Sequence, residues 1–199
     1  MPVFLFLLSA QKASGQTTIA FNLTAALQRE GKNVRIVSLF ENPRLESWQK
    51  PEWLAGPDEL PEDCDALWIL TGQMAPDEVK AFADARCAGA ACRYFICTTL
   101  EEADDADKIA AYTEEFEQVF GRQPDLIIPN KLKAHEWENN SRQLFALGDA
   151  FGYEKITDLL PECSRIHELP LDRKTVWEVP VDQIRLAFEK LLTQVKELL

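Results

Sequence analysis

The residues best suited to chemistry lie in one short segment, Ser9-Ala10-Gln11-Lys12-Ala13-Ser14-Gly15-Gln16-Thr17-Thr18. It joins an unbroken apolar run, Val3 to Leu8, to a stretch in which Ile19, Leu23, Ala26 and Leu27 recur at helical spacing. A strand-to-helix loop offers an anion its backbone N–H groups and the positive end of a helix, which together can cradle a phosphate. The general phosphate-loop pattern, G-x-x-x-x-G-K-S/T, falls on Ala10, Gly15, Gln16 and Thr17, so the second glycine and the hydroxyl are kept and the first glycine and the lysine are not. A neutral amide in place of an ammonium gives up a charge-assisted contact worth about 1.5–3 kcal/mol. Lys12, close by, supplies that charge only if the loop shifts register. Thr17 carries two readings, a magnesium-binding hydroxyl or an ordinary helix-starting residue.

Other reactive side chains form weaker patterns. Cys87 and Cys92 have four residues between them, but no second cysteine pair or nearby histidine completes a zinc set. His135 and His167 stand apart from any nucleophile signature such as G-x-S-x-G. The acidic run Glu101 to Asp107 opens a helical stretch, where carboxylates oppose the helix dipole. Trp48 and Trp53, in a Pro-rich stretch, suit either a protein-binding loop or packing over a sheet edge.

The elements that must position the loop read as an alternation. Apolar runs at Val3–Leu8, Val34–Leu39, Ala66–Leu70, Tyr94–Cys97 and Asp125–Ile128 predict strands, and Ile156 to Leu160 is a further short apolar piece. Between and after them, helices are predicted from about Thr17 to Arg29, from Pro76, over Ala103–Phe120, near Glu138–Ala150 and over Val181–Leu199. Strands separated by helices of this length pair in parallel, because parallel neighbours need crossovers, and those crossovers cover both faces of the sheet. The fold class is therefore α/β, a doubly wound and mostly parallel sheet in a three-layer sandwich. Ligands in such folds sit at the carboxyl ends of the strands, where the first loop lies. The last helix carries Ile184, Phe188, Leu191 and Val195 on one stripe, and Glu189, Lys190, Lys196 and Glu197 cancel in charge, which favours docking on the sheet over a membrane surface.

Composition bounds the rest. The chain has 199 residues, 46% of them hydrophobic, enough for one domain spanning residues 1–199. Its formal charge of −12 repels nucleic-acid backbones and anionic lipid at long range, so direct nonspecific DNA binding and membrane binding are disfavoured. Five cysteines without framework spacing point to a reduced compartment and a cytoplasmic location. Val3–Leu8 lacks a basic flank and is too short to span a bilayer.

The loop and the helix and strand after it resemble the ParA/MinD family of phosphate-loop ATPases, whose variant loop reads K-G-G-x-G-K-T-T. Thr17-Thr18-Ile19-Ala20-Phe21-Asn22-Leu23-Thr24-Ala25-Ala26-Leu27 and Glu30-Gly31-Lys32-Asn33-Val34 are very close to that family's first helix and second strand. The resemblance implies that Gln11 stands where a lysine reaches across a dimer to the partner's nucleotide, and Gln16 where a lysine contacts bound phosphates. It further implies that Ser38 and Phe40 replace two aspartates at the end of the second strand, and that Leu70 replaces an aspartate of the magnesium shell. Leu126-Ile127-Ile128-Pro129-Asn130-Lys131 resembles the strand ending in N-K/R, whose asparagine contacts adenine, and Leu159 to Ile166 resembles the I-P-x-D segment.

What the resemblance implies is a degenerate ParA/MinD-like protein, a pseudo-ATPase acting in partition, conjugation or positioning through protein contacts. Gln11, Lys12, Gly15, Gln16, Thr17, Thr18 and Asn130 would form a vestigial or weak nucleotide site, with no catalytic residue, no metal and no obligatory cofactor. Expected partners are a ParA-like ATPase or a ParB-like adaptor, and a homodimer is open. Two alternatives stand beside this: an active ATPase that binds ATP or ADP with magnesium through Lys12, Gly15, Thr17 and Asn130, and a scaffold that never meets nucleotide.

Overall fold

The apolar run that opens the chain forms β1 (Val3–Leu8), and its side chains divide by strict alternation, as a pleated strand covered on both faces requires. Leu5 and Leu7 enter one core, and Phe4, Phe6 and Leu8 enter the other. The computed structural model describes residues 1–199 except Gln49, Glu59 and Val181. After β1 come α1 (Gln16–Arg29), β2 (Val34–Ser38), α2 (Pro43–Ser47), β3 (Leu54–Ala55), β4 (Ala66–Leu70) and α3 (Pro76–Arg86). The second half holds β5 (Cys92–Thr99), α4 (Asp105–Phe120), β6 (Leu126–Leu132), α5 (Trp137–Phe151), β7 (Leu160–Pro161), α6 (Arg165–Glu168) and α7 (Gln183–Lys196).

The strands form one sheet in the order β3-β2-β4-β1-β5-β6-β7, and every pairing is parallel. The expected doubly wound architecture is therefore present. On one face, α1 and α7 pack with Ile19, Leu23, Phe188 and Leu191 inward; on the other, α3, α4 and α5 contribute Val79, Ile109, Phe116 and Leu147. β1 lies between β4 and β5, so the loop leaving its carboxyl end is flanked by the ends of both neighbours.

Several boundaries differ from the sequence reading. β6 continues past Ile128 through Pro129 to Leu132; the proline has no N–H to give, and on that side the ladder to β7 touches only at Asn130 and Leu132. The Ile156–Leu160 piece is not one strand: Ile156 makes a single bridge to Ile127, and β7 begins at Leu160. β3 is too short, at two residues, for any periodicity to signal it. The helix expected to open at Ala103 starts at Asp105, whose carboxylate accepts the Glu102 N–H at 2.9 Å. Of the two readings of the Trp48/Trp53 loop, packing is the one found: Trp48 is buried and stacks on Phe21, centroids 4.8 Å apart and planes 12° apart. The last helix docks on the sheet as expected, and its Asp182 cap accepts the Arg185 N–H at 3.1 Å; Val181, where that helix was expected to begin, lies outside the described residues. Among the described residues no helix is long and apolar enough to cross a membrane.

Candidate functional site

The loop between β1 and α1 is built by turning the chain sharply twice. Ala13 and Gly15 both have positive φ, 54° and 98°, and Gly15 is the N-cap position of α1, its carbonyl accepting the Ile19 N–H at 2.9 Å. Glycine is required at 15 for two reasons. The backbone lies where side chains are strained, and a Cβ there would collide with the Asn130 side-chain amide. That amide is fixed in place, since Asn130 Nδ2 donates to the Ser14 carbonyl at 2.8 Å. No side chain caps α1, so its first-turn N–H groups are left to other partners.

The two glutamines stitch the loop to the sheet on either side of β1. Gln16 is buried, and its amide forms a closed pair with Gly72, just beyond β4: Nε2 donates to the Gly72 carbonyl at 2.8 Å and Oε1 accepts the Gly72 N–H at 3.0 Å. Gln11 turns the other way, its Oε1 accepting from Thr98 Oγ1 at 2.8 Å and from the Thr99 N–H at 2.9 Å, at the end of β5. Thr17 is engaged as well, Asn42 Nδ2 donating to its Oγ1 at 2.8 Å.

Gln11, Lys12, Gly15, Gln16, Thr17 and Thr18 line one cleft of about 520 Å³, closed on its far side by Phe40, Glu41, Asn42 and Arg44. Lys12 is exposed there and forms no ion pair among the described residues. Asn130 packs against Gly15 and, with Gly15, Thr18 and Arg44 of the cleft, lines a small adjoining space together with Cys163 and His167. The positions where the resemblance places carboxylates hold none. Ser38 Oγ donates to the Phe40 carbonyl at 2.8 Å, Leu70 is fully buried in the core, and Phe40 covers Gly72.

Gly72, Thr98, Thr99 and Asn42 were missed by sequence reasoning. Gly72, Thr98 and Thr99 lie at or just past the ends of the strands beside β1, and Asn42 stands at the N-cap position of α2 in the connection after β2, but nothing in the local sequence marks any of them as a partner of the loop.

Away from the cleft, Lys108 sits among the acids of the Glu101–Asp107 run, 2.8 Å from Glu102, 3.0 Å from Asp104 and 3.4 Å from Asp105, and these carboxylates push its pKa up, Glu102 most. Cys87 and Cys92 are free thiols that act on each other: Cys92 pushes the Cys87 thiol up, and Cys87 lowers that of Cys92 to about 7.

No family model and no curated protein matches the sequence. Solved structures do match, along the whole chain. A candidate plasmid partition protein of Borrelia burgdorferi B31, bound to AMPPNP, superimposes with a TM-score of 0.71 at 12% identity, covering 100% of both chains. MinD in the MinC:MinD cell division complex of Aquifex aeolicus gives 0.70 at 14% identity, over 100% of this chain and 95% of that one. The chain has the ParA/MinD fold. The septum site-determining protein MinD of Pyrococcus horikoshii, complexed with Mg-ADP, gives 0.64 at 14% identity, over 100% of this chain and 97% of its own. At 12–14% identity the likeness is one of fold, and what the cleft does must be argued from its own residues.

Proposed function

We propose that residues 1–199 form a single domain of ParA/MinD fold that has lost ATP hydrolysis and acts in partition, conjugation or positioning through protein contacts, leaving only a vestigial or weak nucleotide site in its first loop. The observation that carries this is the closed amide pair between Gln16 and Gly72. The side chain at the position of a phosphate-binding lysine is buried and spends its donor and acceptor holding the loop to β4. Gln11, at the other lysine position, is likewise turned inward to β5.

The donor set does not suit magnesium with a polyphosphate. Magnesium wants hard oxygen ligands, usually a carboxylate beside the phosphates. Here the Thr17 hydroxyl is bonded to Asn42, Ser38 is bonded to its own loop, Leu70 is hydrocarbon, and Glu41, in the loop after β2, is the one carboxylate among the described residues that lines the cleft. The Aquifex neighbour was solved as a complex with a partner protein, and a ParA-like ATPase or ParB-like adaptor is the kind of partner proposed here. The test is titration calorimetry with Mg-ATP and Mg-ADP, on the wild type and on Gln16→Lys. No saturable heat from the wild type is expected. Micromolar binding with magnesium-dependent turnover would overturn the proposal.

One observation favours a second reading, in which the loop still binds ATP. Lys12 and Arg44 line the cleft beside an α1 terminus that no side chain caps. Under that reading Lys12→Ala abolishes turnover.

A further inference from the structure

Helix α5 presents an apolar face that the fold leaves open. Trp137 is 66% exposed, Phe145 61% and Tyr153, just past the helix, 56%. Trp137 and Phe145 are eight residues apart in the sequence, and at 3.6 residues per turn that places them about 80° apart around the helix, within one broad stripe. With Ser141, Leu144 and Ile156 these residues line a groove of about 460 Å³. Its wall is shaped, since Gly148 has no Cβ and lets the Tyr153 ring lie against the helix, where a side chain at 148 would collide with it. Phe145 and Tyr153 meet edge-on, centroids 6.4 Å apart and planes at 69°. Within this wall the buried Ser141 Oγ has no hydrogen-bond partner among the described residues, an unmet polar group at the edge of an apolar slot.

Charge selects among occupants. From Trp137 to Leu159 the chain has four acids, Glu138, Asp149, Glu154 and Asp158, against Arg142 and Lys155. Asp158 pairs with Lys190 at 3.4 Å, while Arg142 and Lys155 donate only to neutral carbonyls, of the Asn139 side chain and of Pro124, and keep their charge; Glu138 and Glu154 pair with no cation among the described residues, so the rim stays acidic by the small margin of three carboxylates to two cations. Across Trp137 the surface continues into a depression lined by Glu101, Glu136 and Glu138 with His135 and Arg142, where Lys133 bridges Glu101 and Glu136. A two-fold contact would set this acidic rim against itself, on a chain of formal charge −12, and anionic lipid is repelled for the same reason.

We infer that this groove binds an amphipathic helical segment of a partner protein whose apolar face is flanked by lysine or arginine. Aromatic anchors give such a helix its contact area, and the acidic rim steers it and sets its register. The inference deepens the reading that protein contacts carry the function and rests on it, but it does not depend on whether the β1–α1 loop holds nucleotide.

The test uses the full chain, without nucleotide, and a labelled helical peptide of leucine and lysine with the leucines on one face. Fluorescence anisotropy should show saturable binding that weakens by about tenfold or more in Phe145→Ala and in Trp137→Ala, with circular dichroism confirming that both variants fold. A scrambled peptide of the same composition, and one with glutamate for lysine, should bind at least as weakly as the variants do. Equal affinity for the scrambled peptide, or unchanged affinity in both variants, overturns the inference. So does a wild-type dimer in sedimentation that Phe145→Ala abolishes, because the occupant is then a second copy. None of these outcomes alters the calorimetric test of the cleft.

Discussion

Gln16 and Gly72 lie 56 residues apart and meet through two hydrogen bonds, amide to peptide, that tie the start of α1 to the end of β4. The backbone of Gly72 thereby gains partners for both its N–H and its C=O where no strand continues to supply them. The same side chain stands where a charged contact to a ligand is implied by resemblance, so structural and ligand-binding uses of position 16 compete.

Removing that tie has a measurable cost. Gln16→Ala leaves both Gly72 groups without their partner and is expected to lower stability by about 1–3 kcal/mol. For a chain of this size, each kcal/mol shifts the melting temperature by about 2–4 °C, which differential scanning calorimetry resolves. A melting temperature equal to wild type would show that the amide pair adds nothing to the fold.

Gly15 and Asn130 give a second test, through coupling. Gly15→Ala is expected to suffer both the strained φ and the collision with Asn130 Nδ2, while Asn130→Ala alone loses the bond to Ser14. In the double variant the collision is gone, and only the strain and the lost Ser14 bond remain. The two losses should therefore sum to more than the double variant's loss, by about 0.5–3 kcal/mol in urea denaturation. Strict additivity would mean that the two side chains do not meet.

Much of this was legible in the sequence, and the residues show why the rest was not. The run Val3–Leu8 declared a strand covered on both faces because it lacks polar alternation, and the periodic apolar residues after Thr17 declared α1. The alternation of elements carried the parallel sheet and hence the location of the loop. The partners of the loop were hidden because they depend on strand order: Gln11 reaches Thr98 and Thr99, 87 and 88 residues away, only because β5 lies beside β1. Asn130 was legible as a strand-end asparagine, but not its contact with the Gly15 turn, which β6 reaches by extending through Pro129. Two-residue strands such as β3 carry no period to read.

Trp48 separates core from interface by magnitude. It is 2% exposed and stacked on Phe21, so Trp48→Ala should cost about 3–5 kcal/mol, as for other buried tryptophans. An aromatic serving only as a contact surface would lose within about 0.5 kcal/mol. Equilibrium unfolding in urea decides between them. A small loss would return the loop to the status of an exposed binding element.

Cys92 provides a prediction in pH. Its thiol is lowered to about 7, chiefly by the neighbouring Cys87 thiol, with Tyr94, Arg122 and Arg93 also favouring the thiolate and burial opposing it. A thiol is neutral when protonated, so a lowered pKa enlarges the thiolate fraction at every pH below the ordinary value of about 8.5. The thiolate is the reactive form, so the rate of iodoacetamide alkylation at Cys92 should rise with pH to a midpoint near 7. Cys87, pushed up by Cys92 and by burial, should stay unmodified across that range. Replacing that neighbour, in Cys87→Ala, removes the largest cause and should move the Cys92 midpoint upward toward the ordinary thiol value. Peptide mass spectrometry across a pH series reads both profiles, and an unchanged midpoint in Cys87→Ala would show that the neighbouring cations, not the paired thiol, hold Cys92 low.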